Sequence, residues 1–288
     1  RIEASKLPME VRSILAGIFV QPKAMYGCAV SPPSKSSLKR LRGAIARTIW
    51  GQSNRWRANE ILLTLFSKGH IVDPEQASAY TTILTARRVM SRNPALQPSF
   101  SASWSIARST PATGGGGPVS AFLRAIDVAN MTLEGHDKVW YLSEESPLGP
   151  REINWVTCDE RNFSHMLRNC LRVEQWSNLQ YRRQGFVGIE NGLDREACLE
   201  LYKQLGGLNR YQLRCVLTGA LTTQSPIFRI NKDEGNVCPC CQEAVETTGH
   251  VMDECPAHTP PTAHRDISRQ MVCLPRVIRT PRAHASKL

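Results

Sequence analysis

The sequence predicts a mainly α protein with two helical regions and a small cysteine-rich segment. Apolar residues recur at helical spacing on both sides of a Ser-, Pro-, Ala- and Gly-rich stretch, residues 93–117, which ends in four glycines. Four cysteines and a histidine then fall within residues 238–255. The predicted order is a basic helical region (1–92), a flexible linker (93–117), a helical connecting region (118–229), a cysteine-rich knuckle segment (230–260) and a basic tail (261–288).

The first region contains three predicted helices. Pro8 opens a helix with one apolar stripe, which consists of Val11, Ile14, Leu15 and Ile18. Ser36 or Ser37 caps the second, whose apolar face is Leu38, Leu41, Ile45 and Ile49. The third begins at Asp73, an N-cap followed by Pro74 at the first helical position and Gln76 three residues after the cap.

Basic residues concentrate in this same region. Residues 1–92 hold 15 Lys and Arg against 5 Asp and Glu, whereas the whole chain has a net charge of +11. Such a surface attracts nucleic-acid phosphates or an acidic membrane surface. The candidate phosphate-binding residues are Lys39, Arg40, Arg42, Arg47, Arg87 and Arg88. A solvated helix surface is the alternative for the first four, and favourable interaction with a helix C-terminus is the alternative for the last two.

Beyond the linker, the pattern predicts a helix from Pro118 and three more at 160–181, 194–205 and 208–218, the last ended by Gly219. Residues 139–142 and 153–156 can pair as short strands. No lysine of a phosphate-binding loop follows the four glycines, so they predict a flexible connection.

The knuckle segment carries the most specific motif. Cys238 and Cys241 are spaced to point both sulfurs inward from one turn, and His250 and Cys255 can reach the same point from the next element. Three thiolates and an imidazole are the ligand set of a structural Zn²⁺ site. Cys240 can replace Cys241, His258 is a weaker substitute for Cys255, and ordinary buried thiols are the alternative to any metal.

Two patches of sequence resemble the reverse transcriptases of non-LTR retrotransposons. Residues 22–27, then 38–51, then Lys68-Gly69-His70 with Asp73-Pro74, resemble the thumb that follows the polymerase palm. Residues 214–219, then the four Cys and His positions with Pro256, resemble the C-terminal zinc knuckle of the same proteins. The resemblance implies a thumb-like N-terminal bundle, a CCHC zinc knuckle and nucleic-acid binding, with a palm upstream in an intact element.

The catalytic residues of that family are absent. The sequence has no adjacent Asp pair, and residues 256–288 contain one acidic residue, Asp266, so neither a palm nor a nuclease site is expected. We therefore expect a fragment, beginning at Arg1, that positions template and primer without catalysing polymerisation. The alternative is a zinc-stabilised scaffold for protein interactions. A metal hydrolase is disfavoured because four protein ligands leave no position for water.

The expected compartment is reducing. Ten cysteines show no regular pairing, and the sequence contains neither a signal pattern nor an apolar run of about 18 residues, so disulfides and membrane spans are not expected. These observations favour the nucleus or cytoplasm. The final Ser286-Lys287-Leu288 matches a peroxisomal signal, which makes the peroxisome the alternative.

Overall fold

The structure is a computed structural model, and it describes residues 7–51, 57–109, 117–135, 137–142, 150–183, 186, 189, 193–220, 235–247, 250 and 255–258. The predicted basic tail and the Ser-Lys-Leu terminus lie outside these residues. The described chain is mostly helical with one small sheet, which confirms the mainly α class. None of its helices is long and apolar enough to cross a membrane.

The described chain contains eleven α-helices and three strands. The helices are α1 Met9–Leu15, which continues as a π-helical stretch over Ala16–Val20, α2 Gln21–Ala24, α3 Lys35–Trp50, α4 Asn59–Thr64, α5 Gly69–Val72, α6 Pro74–Arg92, α7 Gln97–Ser109, α8 Pro118–Val128, α9 Glu160–Arg182, α10 Arg195–Gln204 and α11 Gly207–Leu217. The strands are β1 Met131–Glu134, β2 Lys138–Tyr141 and β3 Arg151–Asn154. The helices predicted at 160–181, 194–205 and 208–218 are thus present within one residue at each end.

The chain divides into two compact units. Residues 1–53 and 62–175 form the first, and residues 54–61 and 176–288 form the second. The predicted boundaries near 92 and 117 both fall inside the first unit.

The first unit has an apolar core built on α6, α8, α9 and the sheet. Phe122 stacks on Trp155 with ring centroids 5.1 Å apart, and both side chains are fully buried. Further buried members are Ile83, Met90, Ile126, Val139, Phe163 and Leu167. These residues come from parts of the sequence on both sides of the predicted linker, which is why the two helical regions share one core.

Much of the predicted linker is helical. Helix α7 spans Gln97–Ser109 within the range that was predicted to be flexible. Its Trp104 is buried in the core, and Phe100 makes an edge contact with Phe122 at 5.2 Å between centroids. An i,i+4 aromatic pair supplies the apolar face, while the Ser and Ala residues between them are small enough for the exposed face. The first three glycines of the run lie outside the described residues.

The sheet is antiparallel in the order β1-β2-β3. Val139 pairs with Ile153 and Trp140 with Glu152, so the pairing predicted for these two segments is confirmed with each strand beginning one or two residues earlier. Strand β1 was not predicted. It is four residues long, and it pairs with β2 through Leu133 and Val139.

Helix α3 is stabilised by an N-cap at its start and by ion pairs of Arg42. Ser34, rather than Ser36 or Ser37, is its N-cap, because its side-chain oxygen accepts from the N–H of Ser37 at 3.2 Å. Arg42 pairs with the fully buried Asp73 at 2.7 Å and with Glu75 at 3.1 Å. Asp73 also caps α6 by accepting from the N–H of Glu75. One carboxylate therefore links α3 to the start of α6.

The stripe predicted on α1 faces solvent. Ile14 and Ile18 are 59% and 58% exposed. Arg12 is buried instead, and its guanidinium donates to the carbonyls of Thr48 at 3.1 Å and Trp50 at 3.4 Å. Because those carbonyls belong to the last turn of α3, Arg12 satisfies acceptors that the helix end leaves open.

The second unit contains α10 and α11. Helix α11 ends as predicted at Gly219, which has φ +62°. Gly219 donates to the carbonyl of Val216 at 3.0 Å and Ala220 to that of Cys215 at 2.7 Å, the two bonds of a Schellman motif. A Cβ at Gly219 would lie 2.9 Å from the Phe186 ring, so both the backbone angle and the close packing require glycine.

Candidate metal centre

A short hairpin presents the first two ligands. Val237 and Val245 form an antiparallel bridge. Cys238 donates to the carbonyl of Ala244 at 2.7 Å, and Gln242 donates to that of Cys238 at 2.8 Å. These backbone bonds close a tight turn in which Cys238 and Cys241 lie on the same side. The spacing of two residues between the cysteines therefore has the effect that the sequence predicted.

The other two ligands are joined by a backbone bond. The N–H of Cys255 donates to the carbonyl of His250 at 2.7 Å, five residues earlier, as in a π-helical turn. The N–H of His250 donates in turn to the Thr247 hydroxyl at 3.0 Å, which ties His250 to the end of the hairpin. Residues 251–254 lie outside the described residues.

The four ligand atoms converge on one point. They all lie within 4.8 Å of one another, with 3.8 Å between the sulfurs of Cys238 and Cys255 and 3.2 Å between the Cys241 sulfur and His250 Nε2. In a tetrahedral site with Zn–S bonds of about 2.3 Å, two sulfurs are about 3.8 Å apart. A disulfide requires about 2.05 Å, so the Cys238 and Cys255 sulfurs are not bonded to each other. These residues can hold one metal ion.

Backbone N–H groups favour thiolates at two of the cysteines. The pKa of Cys238 is lowered, first by a backbone N–H of Cys241 that donates to its sulfur. The pKa of Cys241 is lowered chiefly by the N–H of Glu243. A hydrogen bond to the charged form stabilises it, and the thiolate is the form that binds metal. No sequence motif marked these donors, because every residue except proline carries a backbone N–H.

Cys240 has a different environment. Its side chain is exposed and it is not part of the four-residue cluster. Its pKa is raised, first by partial desolvation in the turn and then by the charge of Cys238. Geometry and electrostatics therefore both favour Cys241 over Cys240 as a ligand. Cys255 occupies the position for which His258 was the alternative, and the His258 side chain lies outside the described residues.

The metal cluster supplies nearly all the buried side chains of the knuckle segment. Among its described residues, 235–247, 250 and 255–258, the buried ones are Cys238, His250 and Cys255. Val237 and Val245 are 45% and 43% exposed, respectively. This part of the chain has almost no apolar core of its own, so a bound ion is the interaction that can hold it together.

The six candidate phosphate-binding residues divide into two groups. Lys39, Arg40 and Arg47 on α3 and Arg88 on α6 are exposed. Arg42 and Arg87 are buried and bind protein groups: Arg42 pairs with Asp73 and Glu75, while Arg87 donates to the carbonyls of Trp155, at 2.8 Å, and Cys158. Trp50, at the end of α3, is buried.

The centre has to be interpreted from its own geometry. Comparison of the chain with protein-family models, with curated proteins and with solved structures gives no match.

Proposed function

We propose that the chain is a zinc-stabilised nucleic-acid-binding segment of a retroelement reverse transcriptase, which grips template and primer while a palm elsewhere in the element performs the chemistry. The observation that carries the proposal is the convergence of Cys238, Cys241, His250 and Cys255 within 4.8 Å. Three thiolates and one imidazole in a tetrahedral arrangement favour Zn²⁺ over harder cations such as Mg²⁺, which prefer oxygen ligands.

The ion has a structural role in this proposal. Four protein ligands complete the coordination of tetrahedral zinc and leave no open position for a reacting water. Zinc supplies folding free energy to the knuckle segment, which then presents its hairpin to unpaired bases.

Duplex backbone is bound by the exposed cations. Lys39, Arg40 and Arg47 lie on α3, whose orientation is set by the Arg42–Asp73 ion pair. A rigid helix that carries several cations can contact successive phosphates without first becoming ordered. The inward-facing Arg42 and Arg87 support this surface from inside and do not contact phosphate.

Salt titration tests the proposal. Binding of the chain to a 20-base-pair RNA–DNA duplex should weaken steeply as salt is added, since phosphate contacts release counterions. Replacing Lys39, Arg40, Arg47 and Arg88 with Gln should lower the slope of log K against log [salt] by about 0.9 for each phosphate that is no longer neutralised. Lys203→Gln is the control, because that exposed lysine lies in the second unit beside Glu200. Affinity that does not change with salt would refute the proposal.

A protein-interaction scaffold is the second candidate. The observation that favours it is the inward orientation of Arg42 and Arg87, which serve the fold. A chain that contains one equivalent of zinc but binds no nucleic acid at low salt would establish this alternative.

A further inference from the structure

A tight turn presents one tyrosine to solvent. The Tyr26 side chain is 93% exposed. The N–H of Cys28 donates to the carbonyl of Met25 at 3.1 Å, and Gly27 has φ +76°. This is the geometry of a type II turn with glycine at its third position, where a positive φ is required. Tyr26 therefore lies at the tip of the turn.

The base of the turn is anchored. Met25 and Cys28, on either side of the tip, are 8% and 2% exposed and pack with Ala77 of α6. Leu38 and Leu41 of α3 pack against the same cluster. The N–H of Met25 also donates to the carbonyl of Gln21 at 2.8 Å. The anchored base fixes where the ring is presented, and folding buries almost none of the ring, so its faces remain available to a binding partner.

The part of the first unit that contains this turn is rich in cations. Residues 11–51 contain seven Lys and Arg and no Asp or Glu. Lys23 on α2 and Lys35 and Lys39 on α3 are exposed. Asp73 and Glu75, at the start of α6, are both paired with Arg42.

Lys35 lies at the end of α3 where a positive charge destabilises the helix. The first turn of α3 contains no acidic residue and begins with this lysine, although the positive end of a helix favours an anionic side chain. Leu38, in the same turn, packs on the Met25–Cys28 cluster, which places the start of α3 beside the tyrosine turn. The charge of Lys35 adds to the positive end of the helix dipole, so positive potential is concentrated at the start of α3.

We propose that Tyr26 stacks on one base of a single-stranded nucleic acid while Lys23, Lys35 and Lys39 contact the phosphates on either side. This inference rests on the proposed function and adds a contact with unpaired bases beside the cations that bind duplex backbone. In a duplex, both faces of each interior base are already stacked, so the ring has no face to bind. In a single strand, an aromatic ring next to cations binds any base, since every base has a π face.

The test uses the full chain with zinc bound, and compares a 20-nucleotide oligo(U), a 20-nucleotide oligo(dT) and the 20-base-pair duplex. Tyr26→Ala should weaken single-strand binding by about fivefold to a hundredfold, with duplex binding changed less than twofold. Tyr26→Phe should bind single strands as the wild type does, because the ring is kept. Tyr181→Ala is the matched control: that tyrosine is 83% exposed, but the neighbouring Arg182 pairs with Glu60 and Arg183 donates to the carbonyl of Arg57.

The salt slope separates stacking from charge. Tyr26→Ala should leave the slope unchanged because no ion is released by stacking, whereas Lys35→Gln should lower it by about 0.7 on single strands. The inference is supported if Tyr26→Ala binds oligo(U) or oligo(dT) more weakly with an unchanged salt slope, while Lys35→Gln lowers that slope. Single-strand affinity equal to the wild type in Tyr26→Ala, or an equal reduction on duplex, overturns it while leaving the proposed function in place. Absence of salt-dependent binding by the wild-type chain overturns both.

Discussion

Neighbouring residues of one helix have opposite roles in this protein. Arg87 is buried, donates to the carbonyls of Trp155 and Cys158, and lies 5.5 Å from the centroid of the Phe163 ring. Arg88, the next residue, is exposed. Both were predicted to contact phosphate, and in the structure Arg88 alone of this pair is accessible for that purpose.

Substitution of the pair should separate stability from binding. Arg87→Met leaves two carbonyls without their donor and should lower the free energy of unfolding by about 2–4 kcal/mol. Arg88→Met should change it by less than about 0.5 kcal/mol, since the side chain is exposed. Urea unfolding measures both. Equal destabilisation in the two variants would mean that Arg87 does not make these bonds.

Three cysteines close together in the sequence also differ at the residue scale. Cys238 and Cys241 face the cluster and accept backbone hydrogen bonds, whereas Cys240 is exposed. The sequence left the choice between Cys240 and Cys241 open. The direction of each side chain from the turn decides it.

Single substitutions test this choice. Cys255→Ser should abolish the one equivalent of zinc, because a hydroxyl is a poor replacement for a thiolate ligand. Cys240→Ser should keep the full equivalent. Elemental analysis of the purified variants gives the result directly. Absence of zinc from Cys240→Ser would show that the ligand set is wrong.

At the scale of elements, α7 shows how composition can conceal a helix. The segment is rich in Ser and Ala, but Phe100 and Trp104 are four residues apart and lie on one face. The guanidinium of Arg108 lies 5.0 Å from the centroid of the Trp104 ring. The helix is therefore an integral part of the first unit's core.

A tryptophan substitution measures that contribution. Trp104→Ala should destabilise the first unit by about 3–5 kcal/mol, the usual range for removing a large buried aromatic side chain. Ile106→Ala, on the same helix but 66% exposed, should cost less than about 0.5 kcal/mol. Thermal or urea unfolding of the two variants is the comparison. If Trp104→Ala had a negligible effect on stability, the original prediction of a flexible linker would be favoured.

At the scale of the whole molecule, different parts are stabilised by different interactions. The first unit has an extensive apolar core that includes Trp155, Phe122 and Phe163. In the described part of the knuckle segment, the buried side chains are those of three candidate ligands, Cys238, His250 and Cys255. Their responses to removal of the metal should differ accordingly.

Chelation should unfold the knuckle segment selectively. Zinc contributes on the order of 10 kcal/mol to the folding of small zinc modules, and the residues of this segment that the structure describes bury no large apolar side chain in its place. Hydrogen exchange with and without a chelator should show reduced protection over residues 235–258. Amides in α6 and α8, in the first unit, serve as the internal control and should keep their protection. Unchanged protection in the knuckle segment would contradict a structural metal.

Local sequence determined several helix boundaries and the spacing of the candidate ligands. Asp73-Pro74 begins α6 where predicted, Gly219 follows the end of α11, and the Cys and His spacing brings four ligands together. Capping, backbone angle and ligand spacing act over a few residues, so the sequence contains them. Tertiary structure alone decided which cations face inward, since the partners of Arg42 and Arg87 lie 33 and 68 residues away. It also decided that α7 is packed and that Tyr26 is exposed, because burial depends on neighbours that are distant in the chain.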